Sequence, residues 1–487
     1  MPYPNPHPGE AMSIRHCMLA ATAMLAIPAG APAQQAETAP GAEQPAAPAT
    51  SDQPLQSTPS PSIAALLPNP DPGGVRVALG RAGIIYSLTY IGEGLGNATG
   101  GVRRGSGYQG RLDAQLDVDM ETLAGLRGLV LHANAYQIHG RGLSTCCVGN
   151  LLTASGIEAT PATRLFEAWF QQTVLGGTVA VRAGQMAADT EFLVSQYGAL
   201  FVNATFGWPT LPAANLPSGG PAYPLATPGV RLKLAPSDAL TLLVGAFNGD
   251  PAGPGDGDPQ RRNRSGTDFR TRDPALLIGE LSYSYNQAQD APGLPGTVKL
   301  GGYHHFGSFD DLRAGIDGLS LADPDGSGTP RRRRGSIAIY GVVDQLLYRK
   351  PGTADQGLGA FARVSGSPGD GGLISFYADG GLTYKGLLSG REDDTIGLGV
   401  GYARVSRAAR GLDRDAARFS GMSGQPIRSS EVLVELTYQA QVVPGFTLQP
   451  DLQYVIRPGG RAPNPRDPNG AAIKDALVLG LRATVRY

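Results

Sequence analysis

The last twelve residues of the chain alternate between apolar and polar positions. Five apolar side chains recur at every second position, namely Leu477, Leu479, Leu481, Ala483 and Val485. The intervening positions are mostly small or charged, namely Val478, Gly480, Arg482, Thr484 and Arg486. Because successive side chains of a β-strand point to opposite faces, this pattern predicts a strand with one apolar face and one wet face.

The same two-residue period recurs in about sixteen segments between Ala82 and Tyr487, an even number that is typical of a closed antiparallel barrel. One clear example is the stretch from Leu112 to Met120, in which Asp113, Gln115 and Asp117 alternate with apolar residues. A soluble β-sandwich shows the same alternation with its apolar face inward, so the strands alone leave both folds open.

The connections between these segments favour a barrel in a membrane. Even-numbered connections are tight, as at Gly176-Gly177, Pro236-Ser237-Asp238 and Val443-Pro444-Gly445, whereas we expect the odd-numbered ones to be long and rich in Gly, Pro and charge. Short turns on one rim and long loops on the other are typical of outer-membrane barrels. We therefore predict an all-β fold, a transmembrane antiparallel β-barrel of about sixteen strands with long external loops.

The third external loop, roughly Gln185 to Pro228, is the longest connection and the most apolar. A loop of this composition standing in water would expose a large hydrophobic patch. We therefore expect it to fold into the lumen and narrow the channel. Its Trp208 is expected to anchor the loop against the wall.

The start of the chain predicts export. The apolar run from Cys17 to Ile27 follows Arg15 and ends near a small-residue cleavage site, so we predict a signal peptide over residues 1–33, with Met12 as a possible start. Residues 34–70 are rich in Pro and Ala and predict a disordered periplasmic tether. Residues 71–487 form the predicted barrel, which we place in the bacterial outer membrane.

Composition and charge narrow the function. With 69 Gly and 40 Pro in 487 residues and only 41% hydrophobic residues, the chain is poorly suited to a large soluble core. A formal net charge of −1 argues against nucleic acid as a partner, because phosphate binding requires a basic surplus. A near-neutral chain also favours a pore for neutral solutes.

The sequence contains no motif for a cofactor, a metal or catalysis. Cys17 leaves with the signal peptide, and the adjacent Cys146 and Cys147 predict a vicinal disulfide in an oxidising compartment, with a free redox pair or an intermolecular link as alternatives. Asp323 to Gly328 resembles the opening of a calcium loop but lacks the closing Glu, since Arg334 occupies that position. We expect no enzyme.

Several runs of residues resemble the carbohydrate-selective porins of the OprB type. They are GQMAADTEF (184–192), LFVNATFGWP (200–209), GVRLKLAP (229–236), GAFNGDPAGPG (245–255), LQPDLQYVIRPGG (448–460) and DALVLGLR (475–482). The resemblance covers most of the chain from Asp71 and implies a sixteen-stranded channel for passive uptake of glucose-type sugars. It is weakest at Asp71 to Arg76, where the family tends to carry a Trp-containing acidic run.

Sugar passage requires flat aromatic faces for the C–H side of the ring and charged or amide groups for its hydroxyls. Alternation on the segment from Arg164 to Leu175 directs Phe166, Ala168 and Phe170 to lipid and the residues between them to the lumen. We predict that solute contacts the following lumen and loop residues: Glu167, Trp169, Arg182, Asp189, Glu191, Arg231 and Lys233.

Three other functions remain open from the sequence: a general diffusion pore for small solutes, a plugged structural or adhesive barrel, and a barrel enzyme. The expected partners are a carbohydrate solute, outer-membrane lipid and lipopolysaccharide, and the barrel assembly machinery. The basic run Arg331 to Arg334 is expected to be solvated and could touch lipopolysaccharide phosphates. The oligomer is left open as monomer or trimer, with a monomer expected.

Overall fold

The computed structural model describes residues 62–66, 71–288, 291–368, 371–421 and 424–487. Sixteen antiparallel strands form one closed barrel, in which each strand pairs with its sequence neighbours and β1 pairs with β16. The predicted fold is confirmed. The predicted signal peptide and most of the predicted tether lie outside the described residues, and within that tether Ile63–Leu66 form a 3-10 turn.

The sixteen strands follow one another along the chain. They are β1 Ile84–Gly101, β2 Gly105–Asp119, β3 Leu129–Gly140, β4 Ala162–Val174, β5 Val179–Met186, β6 Thr227–Ser237, β7 Leu240–Asn248, β8 Ala275–Tyr285, β9 Gly296–Gly315, β10 Pro330–Arg349, β11 Gly357–Gly366, β12 Ile374–Lys385, β13 Thr395–Val405, β14 Ser430–Val443, β15 Phe446–Ile456 and β16 Lys474–Arg486.

One helix precedes β1, and the others lie in the connections between strands. The helices are α1 Val75–Arg81, α2 Met120–Ala124, α3 Thr210–Asn215, α4 Pro259–Arg262, α5 Arg407–Ser420 and α6 Pro458–Arg461, of which α6 is a turn with left-handed glycines. Single turns of 3-10 or π-helix occur at Pro72–Gly74, Ser144–Val148, Leu175–Gly177, Gly198–Leu200, Ala204–Phe206 and Pro217–Gly219. No helix among the described residues is long and apolar enough to cross a membrane.

The odd-numbered connections all reach one rim, which we call the external rim, and the even-numbered connections reach the other, periplasmic rim. Long external connections are residues 141–161, 187–226, 249–274, 316–329, 406–429 and 457–473. The expectation that every odd-numbered connection is long is wrong for the first, which is only residues 102–104, and for the eleventh, residues 367–373. The Gly-rich segment after Ile91 continues the β1–β2 ladder instead of leaving it, because backbone pairing needs no side-chain pattern.

Side chains alternate across the wall as the sequence predicts. Leu479 and Leu481 of β16 point outward and are almost half exposed, whereas Ala476 and Val478 point inward and are buried. Inward positions of β14 and β15 are largely polar, including Glu431, Glu435 and Gln453. An apolar outer band and a polar interior are what a barrel in lipid requires.

Strand β4 departs from strict alternation next to the site described below. The β3–β4 register shifts so that Asn134 pairs with Glu167 while Ala135 pairs with Leu165, and Phe166 is the extra residue of a bulge. Phe166 therefore turns inward and packs 4.8 Å from the ring of Tyr136. The prediction that Phe166 faces lipid is wrong, whereas Phe170, beyond the bulge, does point outward with 49% of its surface exposed.

Candidate functional site

The third external connection, residues 187–226, is here called loop 3. Its backbone N–H groups donate to carboxylates that point inward from strands on several sides of the barrel. Ala187 N donates to Glu167 Oε1 at 2.8 Å, Leu193 N to Glu280 Oε2 at 2.9 Å and Val202 N to Glu435 Oε1 at 2.6 Å. Loop 3 thus lies against the inner wall, where carboxylates accept hydrogen bonds from the N–H groups of its irregular backbone.

Arg363 of β11 supports the same loop from its carbonyl side. Its guanidinium donates to the carbonyl oxygens of Leu193, Thr205 and Gly207, each at 2.8 Å. The charge of Arg363 is balanced by Asp379 on β12. A planar guanidinium with five donors is well suited to gathering several carbonyls at one point.

Apolar contacts also hold loop 3 against the barrel wall. Phe201 and Phe206 of the loop pack with their ring centroids 4.5 Å apart, and Phe206 meets the ring of Phe361 on the wall at 6.0 Å. Trp208 donates its indole N–H to the carbonyl of Gly219, at 3.1 Å, within the loop itself. The aromatic content of the segment is thus used to pack the loop together and against the barrel wall.

Five predicted or neighbouring residues meet where loop 3 faces β4, β5 and β6. We call Trp169, Gln171, Arg182, Glu191 and Arg231 the constriction cluster, after the role that the sequence predicts for four of them. Arg182 and Arg231 sit directly opposite each other in the β5–β6 ladder, and both donate to the carboxylate of Glu191. Both also donate to Gln171 Oε1, at 2.9 Å from Arg182 Nη2 and 3.0 Å from Arg231 Nη2.

Trp169 forms the aromatic side of the constriction cluster. The guanidinium carbon of Arg182 lies 3.7 Å from the centroid of the indole, close enough for a cation–π contact. His132 of β3 stacks on Trp169 at 4.7 Å and its Nδ1 lies 2.7 Å from a carboxylate oxygen of Asp117. Among the described residues, the indole N–H of Trp169 has no hydrogen-bond partner.

The remaining predicted residues are placed differently. Glu167 and Asp189 hold loop 3, because Glu167 accepts from Ala187 N and Asp189 accepts from Tyr223 N at 2.8 Å. Lys233 follows Arg231 by two residues on β6, on the same inner face and nearer the periplasmic rim. Of the seven predicted residues, four therefore belong to the constriction cluster. Glu167 and Asp189 support loop 3, and Lys233 lies nearer the periplasmic rim.

The family profile described as carbohydrate-selective porin, OprB family, matches residues 103–487. The chain belongs to this OprB family. Among curated proteins it resembles Porin B of Pseudomonas aeruginosa, with 26% identity over 434 residues that cover 85% of this chain and 89% of that protein.

Two solved structures of OprB from Pseudomonas putida share the fold. The high-pH structure has a TM-score of 0.74 at 22% identity, covering 86% of this chain and 97% of that one. The low-pH structure has a TM-score of 0.52 at 18% identity, covering 88% and 100%. Membership of the OprB family and the closed barrel place the protein in the bacterial outer membrane, as a channel and a carbohydrate-selective porin.

A second external loop of this OprB porin enters the lumen, which the sequence analysis missed. In residues 141–161, here called loop 2, the amides of Leu151 and Leu152 donate to Glu431 of β14 at 2.8 Å. Gln453 Nε2 of β15 donates to the carbonyl of Ala154 at 2.8 Å. The apolar Leu151-Leu152 pair was the only sequence signal, and it is too short to distinguish an inserted loop from an exposed one.

Loop 2 also carries the cysteines. Cys146 and Cys147 form a disulfide, and Cys147 is fully buried. The adjacent Glu158 accepts from the amide and hydroxyl of Ser144, while burial raises the pKa of this carboxyl. Glu158 thus supports the turn that holds the disulfide.

Three arginines of the basic run on β10 are paired with acidic residues of β9. Arg331 and Arg333 donate to Asp311 at 2.8 and 2.7 Å, and Arg332 donates to Asp310 at 2.6 Å. The three side chains are exposed to solvent, as the sequence predicts, and they are also paired, because β9 and β10 extend beyond the rim and place acids opposite bases. Within the described ranges, no group of three or more His, Cys, Asp or Glu is arranged to hold a metal ion.

Proposed function

We propose that the protein lets glucose-type monosaccharides diffuse passively across the outer membrane, with selection at the constriction cluster. The observation that carries the proposal is the meeting of an indole face, two guanidinium groups and a carboxylate where loop 3 approaches the wall. The family description and the name of the Pseudomonas aeruginosa relative, Porin B, agree with passage of solute through a sugar-selective channel.

The chemistry of this cluster suits a neutral polyhydroxylated ring. Arg182 lies over the indole of Trp169 and His132 stacks on it, so the C–H side of a sugar can meet the edge of this ring. Ring hydroxyls can donate to Glu191 and accept from Arg182 or Arg231. Because each such bond replaces one with water, passage would be favoured without the tight binding that would stop diffusion.

Liposome swelling with the purified protein tests this proposal. We expect glucose to enter faster than an amino acid of similar size, and a disaccharide to enter more slowly. A Trp169→Ala variant should reduce this preference, whereas Trp208→Phe, which alters a residue that packs loop 3, serves as the matched aromatic control. Equal entry of glucose and the amino acid would contradict sugar selection and leave a general diffusion pore.

The contacts of loops 2 and 3 keep a plugged structural or adhesive barrel as the second candidate. Both loops bind strands across the lumen, which is how a plug would be held. Absence of swelling with any solute, in protein shown to be folded, would favour that candidate. Swelling that appears only after Glu431→Gln or Glu435→Gln would indicate that the loops close the channel.

A further inference from the structure

An aromatic pair marks the external edge of the lipid-facing surface at β12 and β13. Phe376 and Tyr402 both point outward, and their ring centroids lie 6.2 Å apart. Aromatic side chains gather at the level of lipid headgroups in barrels of this kind. Arg404, which pairs with Phe376 in the ladder, is exposed on the same outward face beside these rings.

Helix α5 begins three residues after Arg404 and carries further arginines near it in the chain. Arg407, Arg410 and Arg414 follow the spacing i, i+3 and i+7, so they share one face of the helix. Arg407 and Arg414 are exposed and Arg410 is half-buried. We call Arg404, Arg407, Arg410 and Arg414 the rim arginines.

The acidic residues of α5 form ion pairs with arginines outside this helix. Asp413 pairs with Arg428 at 2.7 Å, and Asp415 pairs with Arg313 of β9 at 2.7 Å. Within the parts of the chain that the structure describes, Arg404, Arg407 and Arg414 form no ion pair. These acids fix the helix in position and leave its arginine face without neutralising carboxylates.

The positive charges of this face act on one another. Burial, followed by the charges of Arg404, Arg414 and Arg407, lowers the pKa of Arg410, while the hydroxyl of Tyr402 acts in the opposite direction. Arg404 and Tyr402, which both act on Arg410, lie on the same outward face of β13. Such a concentration of like charge costs free energy in the isolated protein and is relieved when an anion binds.

We propose that the rim arginines bind the phosphate groups of a phosphorylated lipid in the outer leaflet. Guanidinium groups bind phosphate with two parallel hydrogen bonds, and the site lies beside the aromatic residues at headgroup level, where lipid phosphates are held. This assigns lipid contact to the rim arginines and not to Arg331–Arg333, whose charges are already paired with Asp310 and Asp311.

Lipid binding by the full-length folded protein in detergent tests the assignment. The probes are diphosphorylated lipid A, the same lipid with its phosphates removed, and inorganic phosphate. The test variant combines Arg407→Gln, Arg410→Gln and Arg414→Gln. The matched control removes three exposed arginines of the external connection 249–274 by Arg261→Gln, Arg264→Gln and Arg272→Gln.

We expect diphosphorylated lipid A to bind the unaltered protein and the control variant at least about tenfold more tightly than the dephosphorylated lipid, and the test variant to lose that difference. A variant with Lys at the same three positions should retain most of the preference, and it tests the assignment if the Gln variant does not fold. Equal binding of the two lipids, or unchanged binding by the test variant, would overturn the proposal. Inorganic phosphate binding as tightly as the lipid would overturn the assignment to a lipid.

Discussion

At the scale of single residues, Glu191 supplies the single carboxylate of the constriction cluster. It accepts from both Arg182 and Arg231, and 12% of its side chain is exposed. We predict that Glu191→Gln increases the net positive charge of the cluster, which then has two guanidinium groups and no carboxylate, and shifts ion selectivity towards anions. The reversal potential of single channels in a salt gradient measures this shift.

The control for Glu191 is Glu392→Gln, which removes the same charge from an exposed turn at the periplasmic rim. It should leave the reversal potential near that of the unaltered protein. An identical reversal potential for Glu191→Gln and the unaltered channel would show that the constriction cluster does not face the ion path.

Much of the constriction cluster could be predicted from alternation alone. Trp169, Arg182 and Arg231 occupy positions whose parity directs them inward, and the ladder brings the two arginines opposite each other. The roles of Glu167 and Asp189 could not be predicted, because their partners are backbone amides of a loop without regular structure. Nor does the sequence reveal which residue of β4 is extra, so the direction of Phe166 was predicted wrongly.

At the scale of elements, β4 carries its lipid contact on Phe170. We predict that Phe170→Arg impairs assembly by about 2–4 kcal/mol, because it places a charge against hydrocarbon. Thr163→Arg, on the same face but at the external end of the strand, should cost only about 0–1 kcal/mol. Urea titration of folding into lipid vesicles measures both, and equal costs would mean that Phe170 does not lie in the hydrocarbon.

Helix α5 should be held in a pH-dependent way. The hydrogen bond from Arg313 lowers the pKa of Asp415 below its usual value. Because the folded-state pKa is depressed, this anchor contributes fully above the ordinary aspartate pKa and is lost as the pH falls through the lowered value. We predict that protection factors of α5 amides against hydrogen exchange decrease only in that acidic window.

Asp415→Asn provides the comparison for this element. The variant should show weaker protection of α5 at neutral pH and a smaller further decrease in acid, with the pair between Asp413 and Arg428 still present. Protection that falls equally in the variant and the unaltered protein would show that Asp415 is not the anchor.

Elements differed in how well the sequence predicts them. The bounds of β8 and β15 follow their alternation closely, because one face meets lipid and the other meets water. Extensions beyond the membrane, as in β9 and β10, are held by cross-strand ion pairs and backbone bonds. No apolar face marks them, so their length could not be predicted.

At the scale of the whole molecule, the barrel closes where β1 meets β16. Gly100 has φ +66°, and a Cβ there would lie 1.7 Å from the carbonyl oxygen of Asp475. We predict that Gly100→Ala destabilises the closed barrel by at least about 1–2 kcal/mol, the cost of left-handed backbone for an L-residue. Urea unfolding in vesicles measures this difference.

Gly96 on the same strand is the matched control. A Cβ at Gly96 would have ordinary contacts of 3.8 Å or more, so Gly96→Ala should leave the stability close to that of the unaltered protein. Similar losses for the two variants would show that the end of the β1–β16 seam does not limit closure.

The contacts of loop 3 also bear on how long the protein takes to mature. The bond from Val202 to Glu435 joins residues 233 positions apart, and the bond from Asn203 to Gln453 joins residues 250 apart. Chains whose native contacts connect distant positions fold slowly, because long segments must be brought together before those contacts form. The bridged interior thus implies slow folding of the barrel with its loops, during which the unfinished chain needs protection from aggregation.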